Sequence, residues 1–382
     1  MKPHILFYDD YYNVGGHEIM TVEAVRALSP VARVSFMLHE KNARLRELLS
    51  HPADGGCPTK IVPIYYRSWL LQETRSLVSL RANLMIQSKM KELQPDLVVV
   101  AQGRIELSSL GLIAAKAAGL RMISYLPLAH PLKVAGMRLG SSLRECVDWM
   151  YYRLPDYFFT CTAATMRDIK NHNPAAKVIV VPNGIDFSKK AVGGRAEARA
   201  ALGVPEDKYL VSVVGRTKLR DKGQGHILRA FSRNFKRLSD VHLLFVGDGP
   251  DAAELARQIK KDPCRDHVTM HPWMNDVAPV YAASDMIAMP SRFEGFPLVL
   301  LEAMYHGLPI IGSRVDAMAE VLPEDWLFEF GDDRGLVEAL LRARTCSADV
   351  LSANHQRVKS EHTVERFHST FRAAIEQVLR SN

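Results

Sequence analysis

The run Ser291-Arg292-Phe293-Glu294-Gly295-Phe296-Pro297-Leu298-Val299-Leu300-Leu301-Glu302-Ala303-Met304 reads as a tight loop feeding straight into a helix. Gly295 lets the backbone turn or approach a ligand closely. Pro297 fits the first helical turn, where its missing N–H costs nothing. The start of the helix offers unpaired backbone N–H groups and the positive end of a dipole, a combination that suits phosphate. Gly295, Phe296, Pro297, Leu298 and Val299 are therefore candidate ligand-binding residues. Glu294 lies just before the helix and Glu302 about two turns into it. A carboxylate accepts two O–H bonds at once, so each Glu suits a vicinal diol. Phosphate flanked by two polyols describes a nucleoside diphosphate sugar. The two acids alone would more often be solvated groups on a capped surface helix. The whole string, followed by His306-Gly307-Leu308-Pro309-Ile310-Ile311 as a turn into a strand, favours the functional reading.

Working outward through the second half, Tyr209–Val214 reads as a strand that runs into a loop dense in cations, Arg216, Lys218, Arg220 and Lys222. A helix marked by Ile227, Leu228 and Phe231 follows. Val241–Val246 and Gly247-Asp248-Gly249-Pro250 make a strand and turn. That turn lacks the third glycine of a dinucleotide fingerprint. Val268–Met270 and Asp285–Met289 are further short strands, and two helical stretches close the chain, the last an amphipathic one over Val364–Leu379.

The first half alternates in the same way. His4–Tyr8, Arg33–Leu38, Lys60–Ile64, Asp96–Ala101, Arg121–Leu126, Asp156–Cys161 and Lys177–Val181 are apolar runs separated by helical patterns. Such alternation implies a parallel α/β sheet. Gly15-Gly16 sits between the first strand and a helix over His17–Leu28, an anion-binding arrangement at the carboxyl edge of a sheet. Asp9 and Asp10 read as acids at a strand end in preference to a metal site. A long helix-like stretch to Lys91 carries Arg67, Arg75, Arg81, Lys89 and Lys91 among Leu70, Leu71, Leu77, Val78, Leu80 and Leu84. Lys133–Tyr152 mixes Lys133, Arg138 and Arg144 with Trp149, Tyr151 and Tyr152. The commoner arrangement, one face in the core and cations in water, is the expectation. Peripheral contact with an anionic membrane surface is the alternative. Pro182-Asn183-Gly184 marks a turn after the last strand.

A length of 382 exceeds what one core usually holds, so two domains are expected. At 47% hydrophobic and 24% charged the chain is ordinary globular material. It has no apolar run of about 20 residues, the length that spans a bilayer. It begins without the features of a signal peptide. Five cysteines without metal-like spacing suit buried thiols in a reducing cytoplasm. The net charge of +7 favours anionic partners. No basic block or zinc-finger spacing points to nucleic acid.

The setting EGFPLVLLEAM, with seven residues between Glu294 and Glu302, closely resembles the hallmark of the retaining glycosyltransferases of family 4. The resemblance implies the GT-B fold: two Rossmann-like α/β domains of parallel sheet facing a central cleft, with the C-terminal helix crossing back to the N-terminal domain. Residues 1–187 with 364–382 would form the acceptor side and residues 188–363 the donor side, the chain crossing near VPNGID. It implies that Glu294 contacts the donor sugar, that Glu302 holds the ribose, and that Gly15 and Gly16 face the donor phosphates. The family's GR…KG pattern matches Arg216 and Lys222, a metal-free clamp for the departing diphosphate. Trp273 and Met274 occupy the loop that holds the nucleotide base, largely by backbone. His130 stands near the position of a histidine close to the donor sugar, about three residues late and after a proline. The implied activity is metal-independent transfer of a hexosyl unit, with retention, from a UDP- or GDP-linked sugar to a glycan, lipid-linked or small-molecule acceptor. It needs no cofactor or metal. The implied setting is polysaccharide or glycolipid assembly in the cytoplasm or at the inner face of the membrane, with domain closure completing the site. A nucleotide-sugar epimerase, a phosphorylase or a non-catalytic nucleotide-sugar binder are the rival readings. The pyridoxal-phosphate lysine motif of such a phosphorylase is not found in the sequence.

Overall fold

A computed structural model describes residues 2–11, 15–50, 59–66, 72–130, 147–187 and 194–381. The chain divides into two compact units, Met1–Asn183 with Val364–Asn382, and Gly184–Thr363.

The first unit is built on β1 (His4–Asp9), β2 (Arg33–His39), β3 (Lys60–Ile64), β4 (Leu97–Ala101), β5 (Met122–Tyr125), β6 (Tyr157–Thr160) and β7 (Val178–Val180). They pair in parallel in the order β3-β2-β1-β4-β5-β6-β7. The near-continuous apolar strands follow from burial on both faces: every residue of β1 and of β4 is buried. The chain runs outward from β1 to β3 and then returns to β4. The order therefore reverses between β1 and β4, the crevice where open α/β sheets bind ligands. The helix Ser109–Ala117 lies so close to the sheet that a Cβ on Gly111 would stand 2.3 Å from the Tyr8 ring. Only glycine fits there.

The C-terminal helix Val364–Arg380 belongs to this unit, as the fold required. Its buried residues Phe367, Phe371, Ala374, Ile375 and Val378 form one stripe of helical period. Phe371 meets the Tyr125 ring at 5.7 Å and the Phe159 ring at 5.5 Å. Burying one such phenylalanine contributes about 1.5–3 kcal/mol. The polar edge is fixed by His368 Nε2 at 2.8 Å from Glu23 Oε2, and by Tyr157 and Ser381, whose hydroxyls lie 2.8 Å apart.

Two expectations need correction. The stretch leading to Lys91 is not one helix: it breaks at Ser79 into Gln72–Val78 and Leu80–Leu93. The Ser79 hydroxyl donates to Arg75 O at 2.6 Å, a local bond that competes with helix continuation. Arg67, Leu70 and Leu71, and the part of the second basic stretch within 131–146, lie outside the described residues, as do Cys57 and Cys146. Of the other cysteines, Cys161 and Cys264 are buried thiols and Cys346 is half-buried. The second correction concerns Pro297, which stands at the N-cap with φ −71° and ψ 134°, so the first turn begins at Leu298. The extended ψ keeps Pro297 just outside the helix, while its carbonyl accepts from Leu300 N–H at 3.1 Å.

The second unit is a six-stranded parallel sheet of β8 (Tyr209–Val214), β9 (Val241–Val246), β10 (Val268–His271), β11 (Met286–Met289), β12 (Ile310–Ser313) and β13 (Leu327–Phe328). Its order is β10-β9-β8-β11-β12-β13. The reversal here falls between β8 and β11. The cation-rich loop leaves the carboxyl end of β8, and Ser291–Pro297 leaves the carboxyl end of β11. Two segments some seventy residues apart in sequence are thus brought side by side at one switch point. Among the described residues no helix is long and apolar enough to cross a membrane.

Candidate active site

The β8 loop is held by glycines. Gly215 and Gly247 have φ of 140° and 142°, and a Cβ on Gly247 would lie 2.0 Å from Gly215 O. The two turns therefore pack backbone to backbone, joined by Thr217 N–H to Asp248 O at 2.9 Å. The GDGP turn is thereby explained as packing that shapes the neighbouring loop. The short helix Leu219–Lys222 ends at Gly223, which has φ 70°. There a Cβ would stand 1.9 Å from Pro290 O, so Gly223 locks the end of this loop against the end of β11. Gln224 Nε2 donates to Arg216 O at 3.0 Å and steadies the first part of the loop.

On that frame Lys222 Nζ reaches Glu294 Oε1 at 2.5 Å. Glu294 is 11% exposed and Lys222 35%, so the pair is only partly shielded from water. The same carboxylate oxygen accepts from Ser291 Oγ at 2.7 Å. The Glu294 backbone N–H donates to Asp316 Oδ2 at 2.7 Å. Asp316 takes φ 47°, a left-handed conformation that Asp tolerates better than most residues. Arg292 N–H donates to Asp221 O at 2.8 Å, and its guanidinium lies over the Phe330 ring at 4.4 Å. Glu294 is thus held by its own backbone, by a hydroxyl and by a cation. Ser291 and Asp316 escaped the sequence reading. Ser291 stood in the quoted string; for Asp316 no sequence signal existed.

Glu302 lies on the helix Leu298–Tyr305, half-exposed, with Leu300, Leu301, Ala303 and Met304 buried around it. Its Oε2 accepts from Tyr281 OH at 2.5 Å. The N-cap residue, Pro297, makes no side-chain bond to the start of this helix. Leu298 and Val299 open it, Gly295 lies in the bend before it, and Phe296 turns inward against the His362 ring at 4.9 Å. Trp273 is exposed and donates from Nε1 to Asn275 Oδ1 at 3.4 Å. Met274 packs on the core formed by Leu210, Leu244, Val246 and Val280.

The first unit has its own polar cluster at the β1–β4 switch point. Gly15 caps the helix Gly16–Leu28, and its N–H donates to Glu18 Oε2 at 2.6 Å. Asp9 and Asp10 are buried and hydrogen-bonded within the fold: Tyr11 N–H donates to Asp9 Oδ1 at 2.8 Å, and Tyr8 OH to Asp10 Oδ2 at 2.9 Å. Burial, and then the Glu18 carboxylate, push Asp9 well above the usual carboxylate range. His130 Nδ1 lies 3.4 Å from Asp168 Oδ2. Within the second unit Glu294, Lys222, Pro297 and Leu298 are therefore brought to one sheet edge, and Gly15, Gly16 and His130 are held by the first unit.

Two parallel doubly wound sheets, each with its polar residues at the carboxyl edge, are the architecture of the GT-B glycosyltransferases, and this chain has that fold. Residues 14–189 match the family model described as Glycosyltransferase Family 4, and residues 208–345 the one described as Glycosyl transferases group 1. The chain is 33% identical over 164 residues to a D-inositol 3-phosphate glycosyltransferase of Segniliparus rotundus, covering 39% of this chain and 36% of that one. It is 26% identical over 293 residues to the UDP-Gal:alpha-D-GlcNAc-diphosphoundecaprenol alpha-1,3-galactosyltransferase of Escherichia coli, covering 72% and 71%. The match thus spans about a third of the length of the first relative and about seven tenths of the second. Among solved structures, Anabaena HepE in complex with UDP and glucose superposes with a TM-score of 0.79 at 19% identity, covering 98% of this chain and 99% of that one. These matches support a glycosyltransferase.

Proposed function

We propose that the protein is a retaining glycosyltransferase that moves a hexosyl unit from a nucleoside diphosphate sugar to an acceptor hydroxyl without a metal. One observation carries this reading: Lys222 and Glu294 meet at 2.5 Å at the β8–β11 switch point, beside a helix start whose N-cap residue, Pro297, makes no side-chain bond to it. The ammonium has three N–H donors, so Lys222 serves Glu294 and a diphosphate oxygen together. Arg216 adds a second cation, and the N–H groups of Leu298 and Val299 complete the anion site. As the bond from the anomeric carbon to the diphosphate breaks, these groups hold the charge that develops on the departing oxygen. The acceptor hydroxyl attacks from the same face, its oxygen bonds to the anomeric carbon, and its proton passes to the departing diphosphate. Glu294 orients the sugar, and Glu302 accepts from the ribose hydroxyls.

The named relative from Escherichia coli acts on a polyprenyl diphosphate-linked sugar, which supports a lipid-linked acceptor and assembly of a surface glycan here. An apolar surface patch supports contact with the membrane that would carry such an acceptor. Val78, Leu80 and Leu84 are 76%, 70% and 64% exposed at the Ser79 break, with Arg81 and Lys91 exposed on the same helix. The test is thermal shift against a panel of UDP- and GDP-linked sugars, followed by transfer assays with the donor that binds. Binding raises the melting point by mass action. Release of an altered free nucleotide sugar without an acceptor would replace transfer by epimerisation. Binding without turnover on any acceptor would leave a binding protein.

A further inference from the structure

Tyr281 is buried, 2% exposed, on the short helix Ala278–Ala283. Its ring stacks on His306 at 5.1 Å and 14°, and its hydroxyl donates to Glu302 Oε2 at 2.5 Å. Burial, and then the Glu302 carboxylate, push the phenol well above its ordinary value, so it remains a donor across the neutral range. Glu302 follows Leu298 by one helical step of four residues. It therefore lies on the same face as the opening turn, about 6 Å further along the axis. In a nucleotide the ribose adjoins the phosphates through O5′, so a diphosphate at the helix start brings the ribose to this distance. The 2′ and 3′ hydroxyls point from one edge of the ring, and a carboxylate receives both only when its plane is turned to that edge. Glutamate has three side-chain torsions, and the hydrogen bonds that its carboxylate accepts select among them. A donor at 2.5 Å, on a ring itself fixed by stacking, does that.

We infer that Tyr281 is a positioning residue that sets the plane of the Glu302 carboxylate for the ribose diol, and so makes the site select ribonucleotide over deoxyribonucleotide donors. The inference rests on the reading of Glu302 as the ribose contact, and the test separates the two. The probes are UDP against 2′-deoxy-UDP and GDP against 2′-deoxy-GDP, titrated by calorimetry into the full chain. The wild type should prefer the ribonucleotide of one base by about ten- to a hundredfold, the scale of a hydrogen bond to a charged group. Glu302→Ala should bring that ratio close to one. Tyr281→Phe should lower it by about tenfold through weaker ribonucleotide binding, leave deoxyribonucleotide binding unchanged, and raise the donor KM with little change in kcat. A Glu302→Ala variant that keeps the full preference overturns the ribose reading and this inference with it, as does failure of both ribonucleotides to bind. Loss of the preference in Glu302→Ala with full retention in Tyr281→Phe overturns the positioning role alone. A Tyr281→Phe variant that weakens ribo- and deoxyribonucleotides equally marks the tyrosine as merely structural and also overturns it.

Discussion

Replacing Gly223 by alanine tests how the site is assembled, because Gly203 supplies a control with nearly the same backbone. Both glycines end a helix in the left-handed conformation, with φ 70° at Gly223 and 64° at Gly203. A Cβ on Gly203 meets nothing within 4 Å, whereas one on Gly223 would lie 1.9 Å from Pro290 O. The left-handed backbone costs an L-residue ~1–2 kcal/mol. Reduced freedom of the unfolded chain returns ~0.4–1 kcal/mol of this, so Gly203→Ala should cost ~1 kcal/mol. Gly223→Ala adds crowding against a rigid carbonyl, ~1–3 kcal/mol more. For a unit of this size the melting point should fall by roughly 2–4 °C in Gly203→Ala and roughly 5–12 °C in Gly223→Ala. Relief of the clash needs a shift of more than an ångström between the β8 loop and the end of β11, and Lys222 is the residue next to Gly223. Misplacement of that size can lower turnover by about a hundredfold. Thermal melts and donor turnover on both variants check this. Equal losses of stability would refute the packing argument. A destabilised Gly223→Ala variant with normal turnover would refute the claim that this contact places Lys222.

Lys222→Ala and Glu294→Gln should each lower transfer by orders of magnitude while the melting point falls by only a few degrees. Near-normal turnover in either removes that residue from the mechanism. Stability of the first unit should depend on pH through Glu23. Burial alone would raise its carboxyl, but His368 and Arg26 outweigh burial and hold it below the ordinary 4.5. A depressed carboxylate stabilises above its unfolded value, and that contribution is lost as pH falls through the folded value. His368→Ala should therefore move the acid-unfolding midpoint upward, and an unchanged midpoint would count against the pairing. His242, buried on β9, is lowered to about 4 by burial, so the fold favours its neutral form. Its contribution is complete above pH 6.5 and is lost as pH falls toward 4. The full span is ~3 kcal/mol at 1.36 kcal/mol per unit. His242→Gln should flatten stability between those limits in denaturant titrations.

The sequence by itself determined the central strands, because burial of a parallel sheet on both faces imposes short unbroken apolar runs such as Leu97–Ala101. The pattern behind the proposed anion site was legible as well, since a loop, a proline and a helix start are local features and Glu294, Pro297 and Leu298 lie within five residues of one another. The break at Ser79 was not legible, because apolar spacing continues through it and one side-chain bond decides the matter. Pro297 at the N-cap likewise turned on a single ψ. Only tertiary structure joined Lys222 to Glu294, Asp316 to the Glu294 backbone and Tyr281 to Glu302. Such pairings follow from the order of strands in a sheet and the direction of each side chain at a switch point. Those are settled by packing between segments that lie far apart in sequence, and periodicity within any one segment carries no record of them.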